Sequence, residues 1–138
     1  MFRVHTIQAV AAGLALAFAV STAQSAEHEI LTVQTENGTR YVTGGVGNDE
    51  QRAVKDLGTK FKLEVLLALK EGAYLADVPV RIVDEQGNTV LDVVARGPYL
   101  FADLAPGTYT VEATYEGASQ SKTARVRDSG REQLNFYW

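Results

Sequence analysis

Residues 78–117 read VPVRIVDEQGNTVLDVVARGPYLFADLAPGTYTVEATYEG, and this stretch decides the fold. Apolar and polar residues alternate over 78–82 and, most regularly, over 108–116. Such alternation is typical of strands that turn one face to a core and the other to solvent. The segment 84–88, DEQGN, consists of turn-forming residues, so we expect the chain to reverse there and to return as a strand over 89–95.

An N-terminal hairpin precedes this stretch. The β-rich runs 29–35 and 39–43 flank Asn37-Gly38. Asn-Gly is the strongest short hairpin signal because both residues tolerate positive φ.

One short helix is predicted next, within GGVGNDEQRAVKDLG at 44–58. Asn48 is positioned to cap it, Gln51 three residues on completes a capping-box pattern, and Gly58 suits its end. We interpret the glycines before it as a flexible connector.

A long strand over 60–69 follows the helix. One face carries Phe61, Leu63, Val65, Leu67 and Leu69. The other face begins with charged residues and becomes apolar at Leu66 and Ala68, which predicts a central strand.

Two more strands, 121–127 and 132–138, flank a turn at 128–131. In the last of them we expect Leu134, Phe136 and Trp138 to pack inward, leaving an exposed Tyr137 available to a partner. Seven or more short strands with regular turn signals predict a mainly β protein that forms a sandwich or barrel. An outer-membrane barrel would need more strands than a chain of 138 residues can supply.

Several motifs in 76–126 match one known pattern. They are Asp77-Val78-Pro79-Val80-Arg81-Ile82, the turn 84–87, Tyr99-Leu100-Phe101, the string LAPGTYTV at 104–111, and Gly117. Together they resemble the carboxypeptidase regulatory-like domain, a transthyretin-like sandwich. The resemblance implies a single antiparallel Greek-key sandwich of seven or more strands that acts as a scaffold or accessory module and not as an enzyme.

The N-terminus has the pattern of a cleaved secretory signal. Arg3 precedes an apolar run over 9–20, and small residues follow at 21–26. The run is shorter than the roughly 20 residues that span a bilayer, so we expect cleavage, after Ala23, Ser25 or Ala26. We divide the chain into a signal (1–26), a segment with the hairpin, the helix and the first long strand (27–75), and the regulatory-like portion (76–138); the last two form one domain.

Charge and composition limit the function of the mature chain. Signal removal leaves 12 Lys and Arg against 17 Asp and Glu, a net charge of −5. This balance argues against nucleic acid and anionic lipid surfaces as partners. The chain has no cysteine, so we expect neither a disulfide nor a lipid anchor, and no membrane span after cleavage.

Residues for catalysis or metal binding are scarce. His28 is the one histidine left after cleavage, close to the new N-terminus, and we predict no zinc site, no catalytic role for it and no cofactor. Acids at predicted turns (Asp84, Glu85, Asp92 and Asp103) could serve a glycoside hydrolase, but we interpret them as turn-forming or solvated. A calcium loop at 84–88 would need more oxygen ligands, and a phosphate site at Gly44–Gly47 would face Asp49 and Glu50.

The sequence therefore predicts a non-catalytic accessory or binding module of the periplasm. The chain also resembles small exported proteins of Gram-negative bacteria. We expect loops or an unpaired sheet edge to meet an envelope protein or polymer. Two alternatives stay open: a small acid-dependent carbohydrate or peptide hydrolase, and a structural domain that assembles through its edge strands.

We predict that the exported protein begins between Gln24 and Glu27 and fractionates as a soluble periplasmic protein. Intact-mass spectrometry of the periplasmic fraction measures the start site. A full-length mass recovered from the membrane pellet would contradict the signal interpretation.

Overall fold

The computed structural model describes residues 31–138, which form nine strands and one helix. The strands are β1 (Gln34–Glu36), β2 (Thr39–Gly44), β3 (Leu63–Ala68), β4 (Val78–Asp84), β5 (Thr89–Ala95), β6 (Tyr99–Asp103), β7 (Gly107–Tyr115), β8 (Ala118–Val126) and β9 (Glu132–Tyr137), and helix α1 (Asn48–Leu57) lies between β2 and β3. They build a five-stranded sheet in the order β1-β2-β6-β3-β9 and a four-stranded sheet in the order β5-β4-β7-β8. This mainly β sandwich confirms the predicted fold class. The predicted signal and His28 lie outside the described residues.

The four-stranded sheet follows the alternation in the sequence. Val80 lies opposite Ala113 and Ile82 opposite Val111, and all four side chains are buried. On the other face Arg81 lies opposite Glu112, and both are exposed. The main core therefore lies between the two sheets, as the period-two pattern predicts.

Strand β3 is interior, as predicted, but the five-stranded sheet is not antiparallel throughout. β3 pairs antiparallel with β6 and parallel with β9, with Val65 opposite Leu134. The predicted antiparallel arrangement holds for the other strand pairs of the described chain but is wrong for β3 and β9. The chain crosses from the four-stranded sheet after β8 and returns alongside β3 in the same direction.

Strand β6 is the element that the sequence analysis did not assign as a strand. Its residues Tyr99, Leu100, Phe101 and Ala102 are all buried, so no alternation marks it. Leu100 and Ala102 belong to the main core, while Tyr99 and Phe101 lie on the opposite face of the sheet. A strand covered on both faces reads as a continuous apolar run, which periodicity alone cannot assign.

The N-terminal hairpin forms at Asn37-Gly38, where φ is +50° and +78°. These two positive angles are what a two-residue hairpin turn requires. Strand β1 covers only Gln34–Glu36; residues 31–33 of the predicted run 29–35 are not part of a strand, and residues 29 and 30 lie outside the described range.

The N-cap of the helix lies one residue before the predicted cap, Asn48. Gly47 occupies the N-cap, Asn48 is the first helical residue, and no side chain caps the helix through a hydrogen bond. The predicted capping box at Asn48 and Gln51 is therefore wrong. Glu50 instead turns back and accepts a hydrogen bond from the Gly45 N–H at 3.0 Å.

Gly58 follows the helix for a packing reason. Its φ is −81°, so it does not adopt the left-handed conformation that commonly ends helices. A Cβ at Gly58 would lie 2.3 Å from the Phe101 ring. The absent side chain lets the helix end press directly against strand β6.

A second core lies on the outer face of the five-stranded sheet, beneath α1. Its buried members are Val42, Val54, Phe61, Tyr99 and Phe101. Phe61 thus packs on the helix side and not with Leu63 between the sheets, so its predicted face is wrong. It precedes β3, and the regular alternation starts only where the strand starts.

The corner before β7 is built around Tyr109. Its side chain is buried, and its hydroxyl donates a hydrogen bond to the Ala105 carbonyl at 2.6 Å. Burial, with a smaller contribution from the Asp84 carboxylate, raises the pKa of Tyr109, so this phenol stays protonated and donates. A turn at Pro106-Gly107 would be expected to place Gly107 at positive φ, but Gly107 has no positive φ and is an ordinary first residue of β7.

We predict that Tyr109→Ala destabilises the domain by roughly 3–5 kcal/mol, because it empties a buried aromatic site. Tyr109→Phe removes only the hydrogen bond to Ala105 and is expected to cost about 1 kcal/mol. Urea denaturation measures both.

Glu112→Gln on the exposed face of the same strand is the control and is expected to stay within about 0.5 kcal/mol of wild type. A Tyr109→Ala variant that unfolds at the wild-type midpoint would show that the corner does not stabilise the fold.

Candidate functional site

The outer strands of the two sheets meet along two sides of the sandwich, and side chains cover one of these sides. There β8 of one sheet lies over β9 of the other. Lys122 donates to the Asn135 carbonyl, Gln120 donates to the Tyr137 carbonyl at 2.7 Å, and the Trp138 indole donates to the Ala118 carbonyl at 2.9 Å. These bonds occupy carbonyls that an edge strand would otherwise offer to an added chain.

A groove lies on the opposite side, where β5 meets β1 and β2. Its volume is about 450 Å³, and its lining comes from β1, β2, β5 and residues beside β4 and β5. The lining residues are Gln34, Glu36, Tyr41, Thr43, Asp77, Asp92, Val93, Val94 and Arg96. Within the described range β5 pairs only with β4, so its second edge borders this groove.

Hydrogen bonds hold the β2 wall of the groove in place. The Tyr41 hydroxyl donates to Gln34 Oε1 at 2.7 Å. Thr43 Oγ1 donates to the Tyr99 carbonyl at 2.9 Å and accepts from the Arg96 N–H at 3.1 Å. These three bonds link β2 to β1, to β6 and to Arg96. The polar wall of the groove is therefore held in place before any partner binds.

The groove is predominantly acidic. Glu36, Asp77 and Asp92 contribute three carboxylates to its lining, and Arg96 contributes one guanidinium. Burial, with the Glu36 charge as a smaller cause, raises the pKa of Tyr41, so this hydroxyl is a protonated donor at neutral pH. The groove combines carboxylates with two apolar side chains, Val93 and Val94, of which Val94 is 52% exposed.

The four acids singled out in the sequence do not share one site. Asp84 accepts backbone hydrogen bonds from Gln86 at 3.0 Å and Asn88 at 2.8 Å, which confirms its predicted role in the turn. Glu85 is exposed in the same turn. Asp103 lies 3.9 Å from Arg40 across β2 and β6, and only Asp92 lines the groove.

The glycine loop before the helix already holds a carboxylate. The bond from Gly45 to Glu50 uses a backbone N–H that a phosphate would need. Beside it lies a recess of about 190 Å³, whose walls include the exposed Val46 and Tyr74 and the buried Pro98. The geometry of this loop does not support phosphate binding. It fits the interpretation of the loop as a connector between β2 and α1.

Residues 31–138 contain no cluster of side chains suited to bind a metal ion. Over that range no three His, Cys, Asp or Glu side chains come together in a way that could hold a metal ion. The helix found there is not long and apolar enough to cross a membrane.

The groove could not be located from the sequence. Asp77 lies far along the chain from Glu36 and Tyr41, and it meets them only because β1 and β5 are the edges on one side. Asp77 has a φ of +60°, and no turn signal marks it. The sequence predicted only that an unpaired sheet edge of the sandwich could meet a partner, without saying which strand forms that edge.

Comparison with protein-family models, with curated proteins and with solved structures finds no match to the chain.

We predict that Glu50→Ala destabilises the domain by about 1 kcal/mol, because it releases the Gly45 N–H from its partner. Asp49→Ala is a matched control: it also removes one acid from the first turn, but Asp49 makes only an exposed ion pair with Arg52. Its expected cost is within about 0.5 kcal/mol. Equal midpoints of the two variants in thermal denaturation would show that the bond from Gly45 to Glu50 does not stabilise the domain.

Proposed function

We propose that this protein is a non-catalytic binding module of the periplasm that takes an extended segment of a partner protein along β5. The observation that carries the proposal is the asymmetry of the sandwich. Side chains of β8 and β9 close one side, whereas β5 on the other side borders a groove of about 450 Å³. Location in the periplasm rests on the signal pattern at 1–26.

Strand addition is the binding mode that this edge favours. β5 contains seven residues and pairs with β4 on one side within the described part of the chain. An added strand gains main-chain hydrogen bonds from such an edge, while side-chain pockets select alternate residues. The half-buried Val93 and the exposed Val94 provide apolar contact for the incoming chain.

The charge of the groove selects a basic segment. Glu36, Asp77 and Asp92 outnumber the one cation in the lining, and the predicted mature chain is acidic as a whole. Complementary charge raises the association rate and disfavours acidic competitors. The partner chemistry is therefore an extended peptide in which Lys or Arg alternates with apolar residues.

The groove gives less support to the hydrolase alternative. A glycosidase acid needs a carboxyl in an apolar pocket, whereas Asp77 and Asp92 are both exposed. Self-assembly through β5 uses the same edge as the proposed function, so the experiment must separate the two.

The test is a titration with a synthetic decapeptide of alternating Lys and Val, followed by calorimetry and by amide hydrogen exchange. We expect binding that slows exchange within residues 89–95. The double variant Asp77→Asn/Asp92→Asn is expected to weaken binding about three- to tenfold, as two partly exposed charge pairs are lost.

The matched control, Glu85→Gln/Glu112→Gln, removes two exposed acids outside the groove and is expected to bind as wild type does. A Glu-Val decapeptide is expected not to bind. Equal affinity of both double variants, or slowed exchange elsewhere than 89–95, would refute the site. A dimer by light scattering with 89–95 already protected would assign the edge to self-assembly.

A further inference from the structure

A second cavity lies at the turn between β8 and β9, away from the groove. Its volume is about 230 Å³, and it is lined by Arg125, Arg127, Ser129, Gly130, Arg131 and Glu132. We propose that this cavity binds a phosphate or sulfate group. The proposal is independent of the function proposed for β5.

The unpaired state of two arginines points to a ligand. The side chains of Arg125 and Arg127 make no hydrogen bond or ion pair with any other residue in 31–138, although the Arg125 backbone pairs with β7. The other five arginines in that range all interact with a neighbour: Arg40, Arg52, Arg81, Arg96 and Arg131. The two unpartnered guanidinium groups of the described chain therefore line one cavity.

Both arginines lie at the end of β8 and line the cavity. Arg125 lies in β8, Arg127 directly follows the end of the strand, and the buried Val126 separates them. Both are exposed and able to turn toward the cavity. Planar guanidinium groups bind phosphate oxygens through paired hydrogen bonds, a geometry that lysine cannot reproduce.

Arg131 supplies a fixed positive charge to the same cavity. Its Nη2 donates to the Gly58 carbonyl at 2.8 Å and to the Thr59 carbonyl at 2.7 Å, and its Nε donates to the Phe61 carbonyl at 3.2 Å. Its guanidinium carbon lies 5.3 Å from the Phe101 ring centroid. Held in this way, Arg131 is part of the framework and not free to follow a ligand.

The charge balance of the cavity favours an anion. Three arginines face one acid in the lining, Glu132, and Arg131 also lies 3.3 Å from Glu64. The Ser129 hydroxyl and the turn at Gly130, where φ is +85°, add polar groups. The volume suits a single tetrahedral oxyanion and not a long polymer.

The experiment is an NMR titration of the mature protein with inorganic phosphate, at constant ionic strength set with chloride. We expect saturable shifts of the amide signals of residues 125–131. Arg125→Gln/Arg127→Gln is expected to weaken phosphate binding tenfold or more, since it removes the charge-assisted hydrogen bonds of both guanidinium groups.

Arg52→Gln/Arg81→Gln removes two arginines that already have partners elsewhere and is the matched control, expected to bind as wild type does. Shifts that never saturate, that spread over all cationic surfaces, or that persist in the Arg125/Arg127 variant would overturn the site. Two further titrations, with a sugar 1-phosphate and with phosphatidylglycerol vesicles, tell a soluble or glycan-borne phosphate from a lipid headgroup.

Discussion

The burial of strand β6 on both faces is the constraint on which the rest of the structure depends. Leu100 fills the main core on one face, while Phe101 fills the helix-side core on the other. A strand buried in this way needs hydrogen-bonded neighbours on both edges and an apolar cover on both faces. β2 and β3 supply the edges, and the four-stranded sheet and α1 supply the covers. Two glycines permit the close approach: Gly58 beneath the Phe101 ring, and Gly97, where a Cβ would lie 2.4 Å from the backbone of Gly44.

This arrangement also sets where the sandwich can meet a partner. With β6 at the centre of its sheet, β1 and β9 become the outer strands, and each lies beside an outer strand of the other sheet. The β9 side is closed by side chains from β8 and by Trp138. On the other side, strand β1 has only three residues, and the acidic groove along β5 lies beside it. The difference between the two sides follows from the lengths of the outer strands and from the few polar side chains placed to cover one of them.

Much of the sandwich was predictable, because its outer layer obeys a simple pattern. Strands such as β4 and β7 have one face in solvent, so the alternation of apolar and polar residues predicts that Val80 and Val111 point inward. β6 could not be assigned in this way, since burial on both faces removes the alternation. Sequence patterns also missed the position of Phe61, which depends on where β3 begins. The groove and the arginine cavity depend on which edges and turns become neighbours in space, and residues such as Asp77 and Arg127 have no local signal for that.

Native-state amide hydrogen exchange of the free protein tests most directly whether the β5 edge is open. β4 pairs on both edges and serves as the internal reference. We expect amides along 80–84 to be protected, while within 89–95 only those directed at β4 are, giving alternate fast and slow exchange. Uniform protection along 89–95, equal to that of β4, would show that this edge is already covered and that β5 is not open to a partner.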